Sequence, residues 1–167
     1  MSNRLIVVHA ALLAATMSAG TAALAQTAER GCIELKTVAE IQEAYVDERG
    51  NAATRLVPAA KVVPGDEVVW TIVANNVCAT PAGDIAITNP VPEHMRYVGS
   101  SAFGPGANIE FSLDGSTFSA PEALVVAEAD GSRRAARADE YLAIRWVLAR
   151  PMGPSESLIV RYRATVI

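Results

Sequence analysis

The 167-residue sequence holds few side chains of the kinds that carry chemistry. Cys32 and Cys78 could pair, bind a metal or act as thiols. His94 is the one histidine besides His9, Asp66, Glu67 and Asp84 could gather a cation, and Asp139-Glu140 offers adjacent carboxylates. Each falls short of a recognised arrangement. A structural zinc site needs four Cys or His ligands at close spacing, and two cysteines 46 positions apart plus one histidine do not supply them. Calcium needs six or more oxygens, and no D-x-[DN]-x-[DN]-G loop collects them. A serine nucleophile would need His94 as its base, and no G-x-S-x-G turn presents a serine to it. An intramolecular lysine–asparagine cross-link would have to use Lys36 or Lys61, and the last strand offers no acceptor. No catalytic residue, metal or cofactor is expected, and the chain reads as a non-enzyme.

Charge excludes a further class. Arg133, Arg134 and Arg137 could meet an anionic glycan or a nucleic acid, but Glu128, Asp130, Asp139 and Glu140 surround them and the formal charge is −4. Asp139-Glu140 beside those arginines reads as a solvated loop of mixed charge. With 51% apolar and 19% charged residues, the composition suits one globular domain with a single core.

The N-terminus carries an export pattern. Arg4 precedes an apolar run from Leu5 to Ala15, and Ala23-Leu24-Ala25 forms an A-x-A cleavage site. Small residues from Ser18 to Ala23 interrupt the run before the ~20 residues that a membrane span needs. The expected organisation is a cleaved signal peptide over 1–25, a short lead-in over 26–32 and one domain over 33–167, located in the periplasm or secreted, with no span in the mature chain. Thiols pair in such compartments, so Cys32 and Cys78 are expected to form a disulfide. Closing that loop is worth about 4 kcal/mol by loop entropy.

The elements that must position these residues are strands. Apolar positions recur with period two. Val68, Trp70, Ile72 and Ala74 form an inward set in Glu67–Asn75; Leu142, Ile144, Trp146 and Leu148 do so in Tyr141–Leu148; Leu158, Val160, Tyr162, Ala164 and Val166 do so in the last strand, leaving Arg161 and Arg163 outward. This places Trp70, Trp146 and Tyr162 in the core rather than on a sugar-stacking surface. Shorter candidates are Asp84–Thr88, Met95–Val98, Ile109–Leu113 and Ala123–Ala127. Turn clusters separate the runs, including Pro64-Gly65-Asp66, Asn89-Pro90-Val91-Pro92, Gly104-Pro105-Gly106, Asp114-Gly115 and Asp130-Gly131.

The segment Ile33–Val46 alternates as a strand through Ile33, Leu35, Thr37, Ala39 and Ile41, while Leu35, Val38, Gln42 and Tyr45 also suit one helical face. The strand is preferred: paired antiparallel with Glu67–Asn75, it brings Cys32 and Cys78 to one edge. Pro64 and Gly65 set a turn, Asp66 is placed to accept a nearby amide, and Asn75 is placed to close the far end of its strand.

The run Val63-Pro64-Gly65-Asp66-Glu67-Val68-Val69-Trp70-Thr71-Ile72, then Asn75, then Ile85-Ala86-Ile87-Thr88-Asn89-Pro90-Val91-Pro92, with Phe111-Ser112-Leu113-Asp114-Gly115 and Ile144-Arg145-Trp146 following, resembles the secreted bacterial repeat module known as domain of unknown function 11. The resemblance implies an all-β, immunoglobulin-like antiparallel β-sandwich of Greek-key type, found in tandem in surface or envelope proteins and bringing no catalytic residues. Two functions follow as expectations. The first is a structural or protein-interaction module that contacts an envelope or surface protein, or another copy of itself, through sheet edges. The second is a glycan or small-ligand module using the loop 100–108, with Phe103 among its glycines.

Overall fold

The computed structural model describes residues Gly31–Ile167. The expected signal peptide, and the lead-in up to Arg30, lie outside the described residues. Within them the chain is all-β, two antiparallel sheets packed as a sandwich. The strands are β1 (Ile33–Val46), β2 (Ala52–Pro58), β3 (Glu67–Asn76), β4 (Ala86–Pro90), β5 (Met95–Tyr97), β6 (Ala107–Ser112), β7 (Val125–Ala127), β8 (Arg133–Ala135), β9 (Ala143–Leu148) and β10 (Ser157–Val166). One sheet has the order β2-β1-β3-β10-β5, the other β4-β9-β6, and β7-β8 is a separate hairpin turning at Asp130-Gly131. Among the described residues no helix is long and apolar enough to cross a membrane.

The core lies between the two sheets because their alternation points inward from both sides. Ile72, Ala74, Val160, Tyr162 and Ala164 come from the larger sheet, and Ile87, Phe111, Ile144 and Trp146 from the smaller. Trp146 and Tyr162 are completely buried, with ring centroids 6.2 Å apart. Burying two such rings removes several hundred Å² of apolar surface from water, and burial of this kind across the core is the main favourable term in folding.

Ile33–Val46 is a strand. Its first nine residues pair with β3, from Ile33 opposite Asn76 to Ile41 opposite Val68. Cys32 and Cys78 then meet at one end of that ladder and are joined by a disulfide. At the other end of β3, the Asp66 N–H donates to the Val63 C=O and Gly65 has φ +97°, a type II turn with proline at its second position. The Asp66 carboxylate accepts the Val63 amide at 2.8 Å, closing the same turn from the side.

Several sequence-based expectations need correction. Leu142 is 53% exposed instead of inward, and Tyr141, at 7%, is the buried residue. A 3₁₀ turn at Ala138–Glu140 leads into β9 and delivers the Tyr141 ring against Phe111, 4.5 Å between centroids, so the inward alternation begins only inside β9. The expected strand Ala123–Ala127 is shortened, because Pro121 starts a 3₁₀ turn over Pro121–Ala123 and only Val125–Ala127 forms strand pairing. The strand expected at Asp84–Thr88 runs instead from Ala86 to Pro90. Arg133 and Arg134, read as loop residues, lie in β8.

Candidate functional site

The strand β1 is longer than its neighbour. Its register with β3 is complete at Ile41 opposite Val68, with Glu67, the first residue of β3, next to Gln42, and from there to Val46 its partner strand is β2. Those five residues extend about 17 Å at the rise of an extended strand. The result is a two-stranded arm, closed at its tip by the Asp47 carboxylate accepting the Arg49 and Asn51 amides at 2.9 and 2.8 Å. These amide bonds hold the Asp47 carboxyl below its ordinary pKa. Both faces of the arm meet solvent. Tyr45, Val46 and Leu56 are 39%, 69% and 38% exposed. On the face continuous with the core side, Arg55 pairs with Glu43 and its guanidinium lies 5.2 Å from the Tyr45 ring centre. On the opposite face, register aligns Val46 with Ala52, Ala44 with Thr54 and Gln42 with Leu56.

The backbone of the arm can be followed group by group. Ala59 N–H donates to Ala39 C=O and Asp47 N–H to Asn51 C=O. In an antiparallel ladder this fixes the odd-numbered residues of β2 as the ones bonded to β1. Ala52, Thr54 and Leu56 therefore direct their amides and carbonyls outward, and among the described residues nothing pairs with them. β2 is one edge of the five-stranded sheet, and it is bare.

The other edge is β5, and it is covered. It is three residues long, and Val98 N–H still reaches the Arg163 C=O before the chain leaves the ladder. Residues 99–102 bulge out opposite Tyr162, with Ser100 at φ +58°, and pairing resumes where Phe103 and Arg161 exchange both backbone bonds at 2.8 and 2.9 Å. Inside the bulge the Ser101 hydroxyl accepts the Arg163 amide and donates to the Val98 carbonyl. The 3₁₀ turn Ala138–Glu140 stands beside β5, linked to it by Arg96 and Asp139 at 3.0 Å. Asp139 and Glu140 of that turn join a charge cluster shared with the β7–β8 hairpin: Arg134 with Glu128 and Glu140, and Arg137 with Asp139 and Glu140. Hydrogen bonds from Arg134 and from the Arg137 amide bring the Glu140 carboxyl down to about 2.

The loop that carries Phe103 has a structural use for its glycine. A Cβ on Gly104 would stand 2.5 Å from Cδ1 of Trp146, so the backbone lies directly on the buried indole and only glycine fits. Phe103 itself is 59% exposed. On either side of this loop lie shallow cavities. One of about 330 Å³ is lined by Tyr97, Phe111, Tyr141 and Pro121; the other, of about 370 Å³, lies against Pro105, Leu148 and Met152.

The remaining sequence candidates are spread apart. Asp66 closes its turn, Glu67 pairs with Arg163, and Asp84 precedes β4 at φ +52°. Among the described residues no three His, Cys, Asp or Glu side chains gather around one point. His94 sits at φ +62° and accepts the Ile167 amide through its carbonyl. Trp70 stacks on Tyr162 at 6.3 Å and is only partly buried, whereas Trp146 is fully enclosed; neither indole N–H has a partner. Asn75 accepts the Ser157 hydroxyl at 2.6 Å.

Its neighbour Asn76, not singled out from sequence, has the larger role. It is 1% exposed, its amide nitrogen donates to the Thr80, Met152 and Gly153 carbonyls, and its oxygen accepts the Cys78 amide. The signal was available. Extending the inward series of β3 by one step places a polar side chain on the core face, where it must be satisfied. No known protein family, curated protein or solved structure matches the chain. The disulfide-bonded all-β domain is compatible with an exported protein.

Proposed function

We propose that this chain is an exported, non-catalytic, immunoglobulin-like sandwich that works by associating with protein at the cell envelope or outside the cell, as the modules its motifs resemble suggest, and that the β1–β2 arm is its contact surface. One observation carries this reading: the outward amides and carbonyls of Ala52, Thr54 and Leu56 form an unpaired strand edge beside exposed Val46 and Leu56. Natural sheets block such edges with bulges, charges, proline or covering segments; β2 has no bulge and no covering segment, its one charge, Arg55, is held by Glu43 on its own hairpin, and its proline stands at the last position of the strand. An added strand gains main-chain hydrogen bonds from the edge and specificity from the side chains that flank it.

A photo-crosslinking residue placed at Leu56 in the cell tests this. Covalent adducts to protein at that site support the reading, and an absence of adducts along the whole arm overturns it. Exposed Phe103, whose loop neighbours Ala102 and Pro105 line two separate cavities, favours a second reading, a glycan or small-ligand site. Binding on a glycan array that is lost in Phe103→Ala and unchanged in Leu56→Lys would select it instead.

A further inference from the structure

We infer that the occupant of the β2 edge is a second copy of this chain, with the two β2 strands antiparallel about a two-fold axis through Thr54. The inference rests on the association reading above and names its partner.

The edge is self-complementary in one register. Outward-bonding residues must face each other, so even-numbered positions of β2 meet even-numbered positions of the second copy. Two symmetric registers use most of the strand. The first sets Arg55 against Arg55 of the second copy and places Pro58, which has no N–H, in a bonded position opposite Ala52. Like charges directly opposed and a missing donor count against it.

The second register sets Thr54 against Thr54 of the second copy, Leu56 against Ala52 and Arg55 against Ala53. Because Ala53 lies opposite Tyr45 within each arm, the Arg55–Glu43 pair of one copy then approaches the Tyr45 ring of the other across a small residue. On the opposite face Leu56 lies over Ala52 of the second copy, with that copy's Val46 one strand further on, so the exposed apolar side chains of the two copies share one face. No like charges are directly opposed, and the ladder uses no proline. The two five-stranded sheets become one continuous sheet. A ladder this short gives a reversible dimer that forms with rising concentration, not a permanent one.

Analytical ultracentrifugation of the purified chain, from micromolar to about 1 mM, tests the inference. The expected result is a monomer–dimer equilibrium. Thr54→Pro removes two intermolecular N–H donors per dimer at a position whose N–H faces away from β1, so the fold remains, verified by an unchanged circular-dichroism spectrum, while the dimer Kd rises at least about tenfold. Under mild oxidation Thr54→Cys is expected to cross-link to itself, and Ala53→Cys, offset by two residues from its own copy, is not. A chain that stays monomeric throughout, or a dimer indifferent to Thr54→Pro, or cross-linking at Ala53→Cys in place of Thr54→Cys, overturns the inference. Monomers in solution together with protein adducts at Leu56 in the cell would remove the second copy as partner and leave the association reading standing.

Discussion

The two edges of the five-stranded sheet face the same hazard and are built in opposite ways. At β5 the strand is cut to three residues, residues 99–102 bulge away, a serine hydroxyl replaces a backbone partner, and a charged turn stands alongside. At β2 the strand runs seven residues without a bulge, and its single charged side chain, Arg55, is occupied by Glu43 on its own hairpin. A sheet that needed protection everywhere would be protected at both ends. The contrast identifies β5 as an edge kept closed and β2 as an edge kept open.

The contrast is broken most severely from the closed side. Tyr97→Ala empties a site that is 3% exposed and touches Phe111, Tyr141 and Tyr162; we expect a loss of about 3–5 kcal/mol, read from the midpoint of chemical unfolding. Next comes Gly104→Ala, which forces a methyl group onto an enclosed indole. It should cost about 1–3 kcal/mol and perturb the tryptophan fluorescence.

Acid loosens the closed edge locally. The carboxyl of Glu140 is lowered from 4.5 to about 2 by its partners, so its contribution is complete above about pH 4.5 and is lost as the pH falls through about 2. Nuclear magnetic resonance of the Arg134 side chain should follow that window in the native chain and lose it in Glu140→Gln. The smallest effect on folding belongs to the open side. Leu56→Lys should leave stability within about 0.5 kcal/mol, since the side chain contributes little to the core. The same change should nonetheless abolish self-association in the ultracentrifuge. A large loss of stability in Leu56→Lys would show that the arm is part of the core after all.

How much was legible in the sequence follows from which residues a core constrains. β3, β9 and β10 each pack against the opposite sheet, and their alternation could be read because inward positions had to be apolar. β1 alternates in sequence from Ile33 to Ile41, yet burial constrains it little: Glu34–Thr37 and Gln42–Val46 are exposed and only Ile33 and Val38–Ile41 are partly covered, so a helical face can be drawn through the same residues. β2 could not be anticipated, because Ala52–Pro58 has solvent on both faces and no pattern of burial is imposed on it. The candidate surface was thus the least legible part of the chain. The Asp47 turn with Gly50 at φ +82° was its one local signal. Tyr141 and Leu142 were exchanged because a 3₁₀ turn shifts the entry into β9, a change of phase that period-two counting cannot detect. Asn76 lies one step beyond the apolar series of β3, where a polar residue ends the pattern although its side chain points into the core.

The placement of the disulfide has a mechanical consequence. β1 continues from the arm directly into its ladder with β3, so tension applied along the arm loads the nine facing positions in parallel and in shear, rather than peeling them one by one. At the far end of that ladder Cys32 is bonded to Cys78, just past the end of β3. Under the proposed association, a pull on the arm would be passed to the central strand of the domain through a covalent stop, and the contact would give way before the sheet behind it unravels.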